Sequence, residues 1–195
     1  MSALDRARDA LDLQSHRAYP GRGHVRSGVL SGLSAAAGCG CCCYCATVRA
    51  MSRAPFQVLV LPCRHDRERW LFAVFRRSDS DIWQGIAGGG EEHETPVQAA
   101  TREAAEEAGI VVGTQLIPLD TTASIRADYF PTADWGDHVY VIREHSYGVI
   151  VDRGQLTLSN EHREMAWLDA DAAIERLTFD SNKTAIWELH ARLTR

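Results

Sequence analysis

An α/β sandwich around a mixed β-sheet is predicted for residues 51–195 on three observations. Short runs rich in β-branched and aromatic residues alternate with turn-forming clusters, and two segments of helical period stand among them. The chain of 195 residues is 45% hydrophobic, ample for one core. No internal repeat divides it further.

The strands begin with Phe56–Leu61 (FQVLVL) and Trp70–Arg77 (RWLFAVFRR), which flank the charged turn RHDRER as in a β-hairpin. A helix follows. Thr95-Pro96-Val97-Gln98 is its start signal: Thr95 can cap, Pro96 suits the first helical position, and Gln98 completes a capping box. Gly109 supplies the stop by accepting the left-handed conformation. Val97, Ala100, Ala104 and Ala108 recur at spacings of three and four, a stripe of small residues that can pack close to a sheet. Further strands are expected at Ile110–Val112, His138–Ile142, Tyr147–Val151 and Ala166–Leu168. Near the end, SNKTAIWELHARL has helical spacing, with Ser181 as N-cap and Ile186, Leu189 and Leu193 on one face.

Residues 1–50 differ in texture. Met1 to Leu13 could make a short helix, but no sustained periodicity follows, and no acidic residue occurs from Leu13 to Ala50. The segment is expected to be a disordered leader or to lie upstream of a start at Met51; a targeting peptide is the alternative. Five of the six Cys fall in CGCCCYC (Cys39–Cys45) and the sixth is Cys63. Bridges within such a cluster would close only tiny loops, and no second Cys/His pair stands at a zinc spacing.

Net charge is −5, unevenly spread: residues 1–50 carry +3, and residues 51–195 carry −8 from 15 basic and 23 acidic groups. That balance is a poor match for nucleic acid, whose proteins present basic surfaces. No apolar run approaches the roughly 20 residues of a membrane span. A soluble, cytoplasmic protein with a small-molecule partner, and neither nucleic acid nor membrane, is the expectation.

Residues 88–110, GGGEEHETPVQAATREAAEEAGI, gather Glu91, Glu92, Glu94, Glu103, Glu106 and Glu107 around a single basic residue, Arg102. Like charges three or four apart on a helix repel by roughly 0.2–0.5 kcal/mol per pair. At 100° per residue, Glu103, Glu106 and Glu107 fall within an arc of about 100°, off the alanine stripe. Glutamates on a helix ordinarily form a solvated face. Here a loop of three glycines, Gly88 to Gly90, is expected to lead into them, and glycine lets backbone approach a ligand closely or take positive φ. Oxygen donors of this kind suit Mg²⁺ or Mn²⁺ rather than zinc. A divalent cation would relieve the repulsion and draw an anionic substrate to an acidic domain.

The spacing Gly88, Glu94, Arg102-Glu103, Ala104, Glu106-Glu107, Gly109, Ile110 resembles the Nudix box over its whole length. Seven fixed identities and two apolar positions make the match highly specific. The resemblance implies an α/β/α sandwich and hydrolysis of a pyrophosphate bond in a nucleotide-like substrate. It implies that Glu103, Glu106 and Glu107 hold divalent metal, joined by the Gly88 carbonyl, that Arg102 orients a glutamate through a salt bridge, and that Glu94 stabilises the loop. Two positions depart from the pattern: Ala87 stands where many members have Pro, and His93 where many have Gly. Neither change removes a ligand.

Outside the box, FRRSDSDIWQGIAGGGEE, SNEHREMAWLDADAA (Ser159–Ala173) and SNKTAIWEL look like the bacterial dihydroneopterin triphosphate pyrophosphohydrolase branch of that family, most weakly from Leu116 to Glu144. In that branch the glutamate before His on the loop entering the Trp-Leu strand completes the metal site, and Glu161 matches it; a surface glutamate is the plainer alternative. Arg76 and Arg77 are candidates for phosphate, as Arg contacts phosphate through two parallel hydrogen bonds, or are a solvated strand end. Trp83 is a candidate for stacking on a ring or an ordinary core residue, with Tyr147 and Trp135 as weaker ring candidates. Lys183, the chain's only lysine, and Asn182 sit in the first turn of the last helix, which favours an anion. His93, His138 and His162 are expected at the surface or hydrogen-bonded. The rival functions are a diadenosine polyphosphate or other nucleoside polyphosphate hydrolase, and a Nudix domain that binds without catalysis.

Overall fold

The computed structural model describes residues 53–111, 113–152 and 156–195. The leader, the short helix expected at its start and the Cys39–Cys45 cluster lie outside the described residues. A seven-stranded mixed sheet forms the centre, built from β1 (Arg53–Asp66), β2 (Arg69–Arg77), β3 (Trp83–Gln84), β4 (Ile86–Glu91), β5 (Leu116–Arg126), β6 (Val141–Ile150) and β7 (His162–Leu168). Three helices accompany it: α1 (Pro96–Ala108), α2 (Ala170–Arg176) and α3 (Asp180–Leu193). Strand order is β3-β2-β1-β6-β5, with β4 also paired to β1 and β7 to β2. Only β1 and β6 run parallel among these pairs.

Covering both sheet faces explains why β1 is a near-continuous apolar run. Val58 and Val60 turn to one face, packing with Phe75, Ile86 and the α1 alanines Ala99, Ala100, Ala104 and Ala108. Leu59 and Leu61 turn to the other, packing with Phe72, Val74, Ala173 of α2 and Ile186 and Leu189 of α3. Each leucine buried this way contributes about 1.5–3 kcal/mol. Gly148 of β6 lets α3 approach: a Cβ there would lie 2.5 Å from Leu189 Cδ1. The α/β/α sandwich is the observed class.

Several expected boundaries shift. The hairpin strands extend to Arg53–Asp66 and Arg69–Arg77 and meet at a two-residue turn in which Arg67 has φ 57°. His138–Ile142 and Tyr147–Val151 are not two strands: β6 runs unbroken from Val141 to Ile150. Ile110, expected to begin a strand, instead leaves α1 and packs in its cluster. Val97 does not belong to the buried stripe, being 48% exposed; Ala99 takes its place. α3 begins at Asp180 with Phe179 as N-cap and no side-chain cap bond, so Ser181 is not the cap. β3, β4, β5 and α2 were not foreseen: the glycines of β4 suggest a loop, and Pro118 with its polar neighbours hides the alternation of β5.

Candidate active site

β4 and α1 build the acidic site. Gly88, Gly89 and Gly90 are strand residues, and none of them has positive φ; they are required for close approach, not for a turn. A Cβ on Gly88 would lie 1.9 Å from Glu103 Cδ, one on Gly89 2.3 Å from Arg53 Cζ, and one on Gly90 2.1 Å from Phe56 Cζ. α1 then starts as its residues dictate: Thr95 and Gln98 form the capping box, and Gly109 ends the helix at φ 66°.

Arg102 ties the strand to the helix. Its Nε and Nη2 donate to both oxygens of Glu94 at 2.9 Å, and Nη2 also donates to the Gly89 carbonyl at 2.9 Å. Nη1 donates to Glu103 Oε1 at 2.9 Å and to Glu106 Oε2 at 3.2 Å. Glu94 Oε2 accepts a further bond from the Glu91 N–H at 2.8 Å, fixing the loop between β4 and α1. Arg102 holds the Glu94 carboxyl below its ordinary range, and Glu94 in turn keeps Arg102 more firmly protonated.

Glu103 and Glu107 are buried at 8% and 3% exposure, while Glu106 is exposed. Burial, then the charge of Glu107, pushes the Glu103 carboxyl up to about 7 against the opposing pull of Arg102. Glu107 Oε2 lies 2.7 Å from His162 Nε2; its Oε1 is buried without a hydrogen-bond partner. The chain entering β7 docks on the end of α1, the Ser159 N–H donating to the Glu107 carbonyl at 3.1 Å and the Thr157 N–H to that of Ala108 at 3.0 Å. Glu161 stands on this segment, its carbonyl accepting from the Ser78 N–H at 2.8 Å. The charges of Glu161 and Glu107 both help to keep Arg77 protonated, although Asp79 dominates. Glu103, Glu107, Gly88 and Arg102 are therefore gathered at one place, with the backbone of Glu161 on the adjoining segment. Among the described residues no group of three His, Cys, Asp or Glu side chains stands close enough together to hold a metal ion.

The substrate candidates are scattered. Arg77 lies by the glutamates but is engaged by Asp79 at 2.8 and 2.5 Å. Arg76 bridges Asp81 at 2.6 Å and Glu164 at 3.1 Å, and Asp81 also meets Arg163. Trp83 is buried in the cluster on the far face, with the Arg176 guanidinium 4.9 Å from its ring centre, so its ring is committed to packing there. Lys183 pairs with Asp180 at 3.3 Å, and neither it nor Trp83 is brought to the carboxylates. Asn182 is buried, its Oδ1 accepting from the Gly85 N–H at 2.9 Å. Tyr147 is buried on the α1 face, and Trp135 donates to the Arg53 carbonyl at 2.5 Å. Burial pushes the Cys63 thiol up to about 12, which disfavours it as a nucleophile. His162, expected at the surface or hydrogen-bonded, is the buried partner of Glu107, and its place next to Glu161 is the signal for that role.

A mixed sheet between helices, with a glycine strand packed on a glutamate-bearing helix, defines an α/β/α sandwich protein with a carboxylate-lined site. Residues 54–188 match the NUDIX domain model, and the chain belongs to that family: it is a hydrolase acting on phosphoanhydride bonds. The chain is 34% identical over 137 residues to the dihydroneopterin triphosphate diphosphatase of Escherichia coli K12, covering 69% of this chain and 91% of that one. A NUDIX hydrolase structure from Listeria monocytogenes superposes with TM-score 0.66 at 38% identity, covering 72% of this chain and 95% of that one. The E. coli dihydroneopterin triphosphate pyrophosphohydrolase superposes with TM-score 0.60 at 27% identity, covering 73% and 99%.

Proposed function

We propose that the protein hydrolyses dihydroneopterin triphosphate or a similar nucleotide-like triphosphate to the monophosphate and pyrophosphate, with Mg²⁺ or Mn²⁺. The buried pair Glu103 and Glu107 against Gly88, with Glu107 Oε1 left unbonded, carries this reading. Two carboxylates this buried destabilise one another, and an all-oxygen donor set fits a hard divalent cation. Glu103, Glu106, Glu107, Glu161 and the Gly88 carbonyl would hold it. When bound, such a cation neutralises charge on the phosphate oxygens and lowers the pKa of the attacking water.

The side chains supply the rest. Arg102, locked on Glu94 and the Gly89 carbonyl, positions Glu103 and Glu106. His162 holds Glu107 by one oxygen and leaves the other for the ligand. Water attacks phosphorus as the bond to the bridging oxygen breaks, and a carboxylate accepts the proton. Glu161 and Glu106 are the two candidates for that base: Glu106 is exposed on its helix beside Arg102, and Glu161 stands on the adjoining loop. Arg77, near enough to Glu161 and Glu107 to feel their charges, is the phosphate-binding candidate, and a phosphate there would displace or share its bonds to Asp79.

A panel of dihydroneopterin triphosphate, nucleoside triphosphates, diadenosine polyphosphates and nucleotide sugars, followed for phosphate and pyrophosphate with and without EDTA, tests the proposal. Pyrophosphate release from the pterin substrate, abolished by EDTA, is expected. Preferred cleavage of a diadenosine polyphosphate would replace the proposed substrate while keeping the site.

A further inference from the structure

The sheet face turned away from α1 carries a second polar cluster. Gln57 of β1 lies opposite Glu144 of β6, and Leu59 opposite Ser146, so all four side chains face α3. Gln57, Glu144 and Ser146 are exposed by only 5%, 4% and 2%. Gln57 Nε2 donates to Glu144 Oε2 at 3.0 Å, and Ser181 Oγ, from the first turn of α3, donates to Glu144 Oε1 at 3.0 Å. The Ser146 hydroxyl is buried and makes no hydrogen bond.

Packing does not explain this arrangement. An apolar residue would fill the volume of Glu144 without desolvating an acid, and both of its donors are neutral. Burial accordingly pushes its carboxyl above the ordinary range. The groups nevertheless form an ordered row. Each carboxylate oxygen can accept a second hydrogen bond, and the Gln57 amide retains a second N–H. Acceptor, acceptor and donor complement a ring edge that offers two adjacent N–H groups followed by a carbonyl, the 2-amino-4-oxopyrimidine edge shared by pterins and guanines.

Position supports the match. Gly89, Gln57 and Glu144 lie at one level on three neighbouring strands. Two strand spacings, roughly 10 Å, therefore separate Glu144 from β4 along the sheet, while Gly88, paired with Val58, borders Glu103 on the opposite face. Arg53 lies between, over Gly89, and donates to Gln57 Oε1 at 3.2 Å. We propose that Glu144, with Gln57 and Ser146, is the specificity site that reads the 2-amino-4-oxopyrimidine edge of the substrate's ring. This inference rests on the proposed triphosphate hydrolysis and adds the ring to it.

Glu144→Gln keeps the shape and an acceptor for Ser181 but sets an amide N–H against the ring's donors. Its kcat/KM should fall about 100-fold for dihydroneopterin triphosphate and GTP, chiefly through KM, while residual turnover of ATP stays within about three-fold. Mn²⁺ affinity should be unchanged, and melting should remain cooperative, since the loss of a buried acid offsets the donor set against Gln57 Nε2. Equal losses on all three triphosphates, or none, would overturn the assignment and leave Glu144 a structural residue. The wild-type preference between the pterin and GTP tells which source of the edge is used. If Glu144→Gln fails to fold, Ser146→Ala decides, with a loss of about 10-fold expected for the pterin and GTP only, and no selective loss counting against the site. Neopterin binding, followed by its fluorescence, separates the two proposals: binding abolished by the substitution without any wild-type cleavage would retain the ring site and remove the triphosphate reading.

Discussion

His162 Nε2 sits 2.7 Å from Glu107 Oε2, and both side chains are sealed from solvent. One residue at the mouth of β7 thus fixes the rotamer of a carboxylate on α1, and the Phe75 ring, centred 5.1 Å from the imidazole, fixes the histidine in turn. Partners that orient a metal-binding carboxylate typically affect affinity by 10–100-fold. His162→Phe should therefore weaken Mn²⁺ binding within that range, while His162→Gln, which can still donate, should retain more of it. Mn²⁺ titration by EPR checks this. Equal affinity in all three proteins would show that Glu107 needs no such partner.

Glu107→Gln removes the charge while preserving the volume. Turnover in Mg²⁺ should fall by about 100-fold or more, as expected when a group acting on transition-state charge is lost. The fold should survive, because the substitution relieves repulsion on Glu103. Steady-state kinetics beside thermal melting makes the comparison; wild-type turnover by the variant contradicts the metal assignment.

Stability without metal should depend on pH through Glu103. Its carboxyl titrates near 7 in the folded chain against an ordinary 4.5, so between those values the folded state holds more protons than the unfolded. Stability is accordingly highest below about pH 4.5 for this group and declines as pH rises to about 7, by about 3 kcal/mol at full titration. Urea denaturation in EDTA from pH 5 to 8 measures the decline, and Glu103→Gln should flatten it. Adding Mg²⁺ at pH 8 should restore stability to the wild type more than to the variant. A wild-type profile as flat as the variant's would refute the coupling.

The ends of α1 could be read because their signals are local: Thr95, Pro96, Gln98 and Gly109 act on neighbouring backbone, whereas Val97, which the spacing places on its buried face, is exposed. The grouping of Glu103 with Gly88 and Arg102 was legible through the resemblance to the Nudix box, although the glycines, expected in a loop, form strand β4. Elements defined by distant partners were not. β5 is recognisable chiefly by its pairing with β6, and Ser181 abandons the capping role for Glu144, 37 residues away. Lone polar residues inside strands, such as Gln57 and Glu144, carry no periodic signature. Their meaning appears only once parallel pairing sets them side by side.

His93 is one of two non-glycine residues with positive φ among the described residues, at 74°. It occupies the position where the Nudix pattern commonly has glycine, so the loop keeps a glycine conformation without the glycine. Left-handed backbone costs an L-residue about 1 kcal/mol or more. The imidazole gains little in return: it is 90% exposed and lies 3.7 Å from Glu92. His93→Gly relieves the strain but widens the unfolded ensemble, which offsets part of the gain. The expected net effect is a stabilisation of about 0.5 kcal/mol, read as a higher urea midpoint at unchanged slope. Arg67→Gly, at φ 57° in the β1–β2 turn, should behave alike and serves as a comparison remote from the glutamates. A lower midpoint for His93→Gly alone would mean that the histidine stiffens the loop between β4 and α1, and turnover should then fall with it.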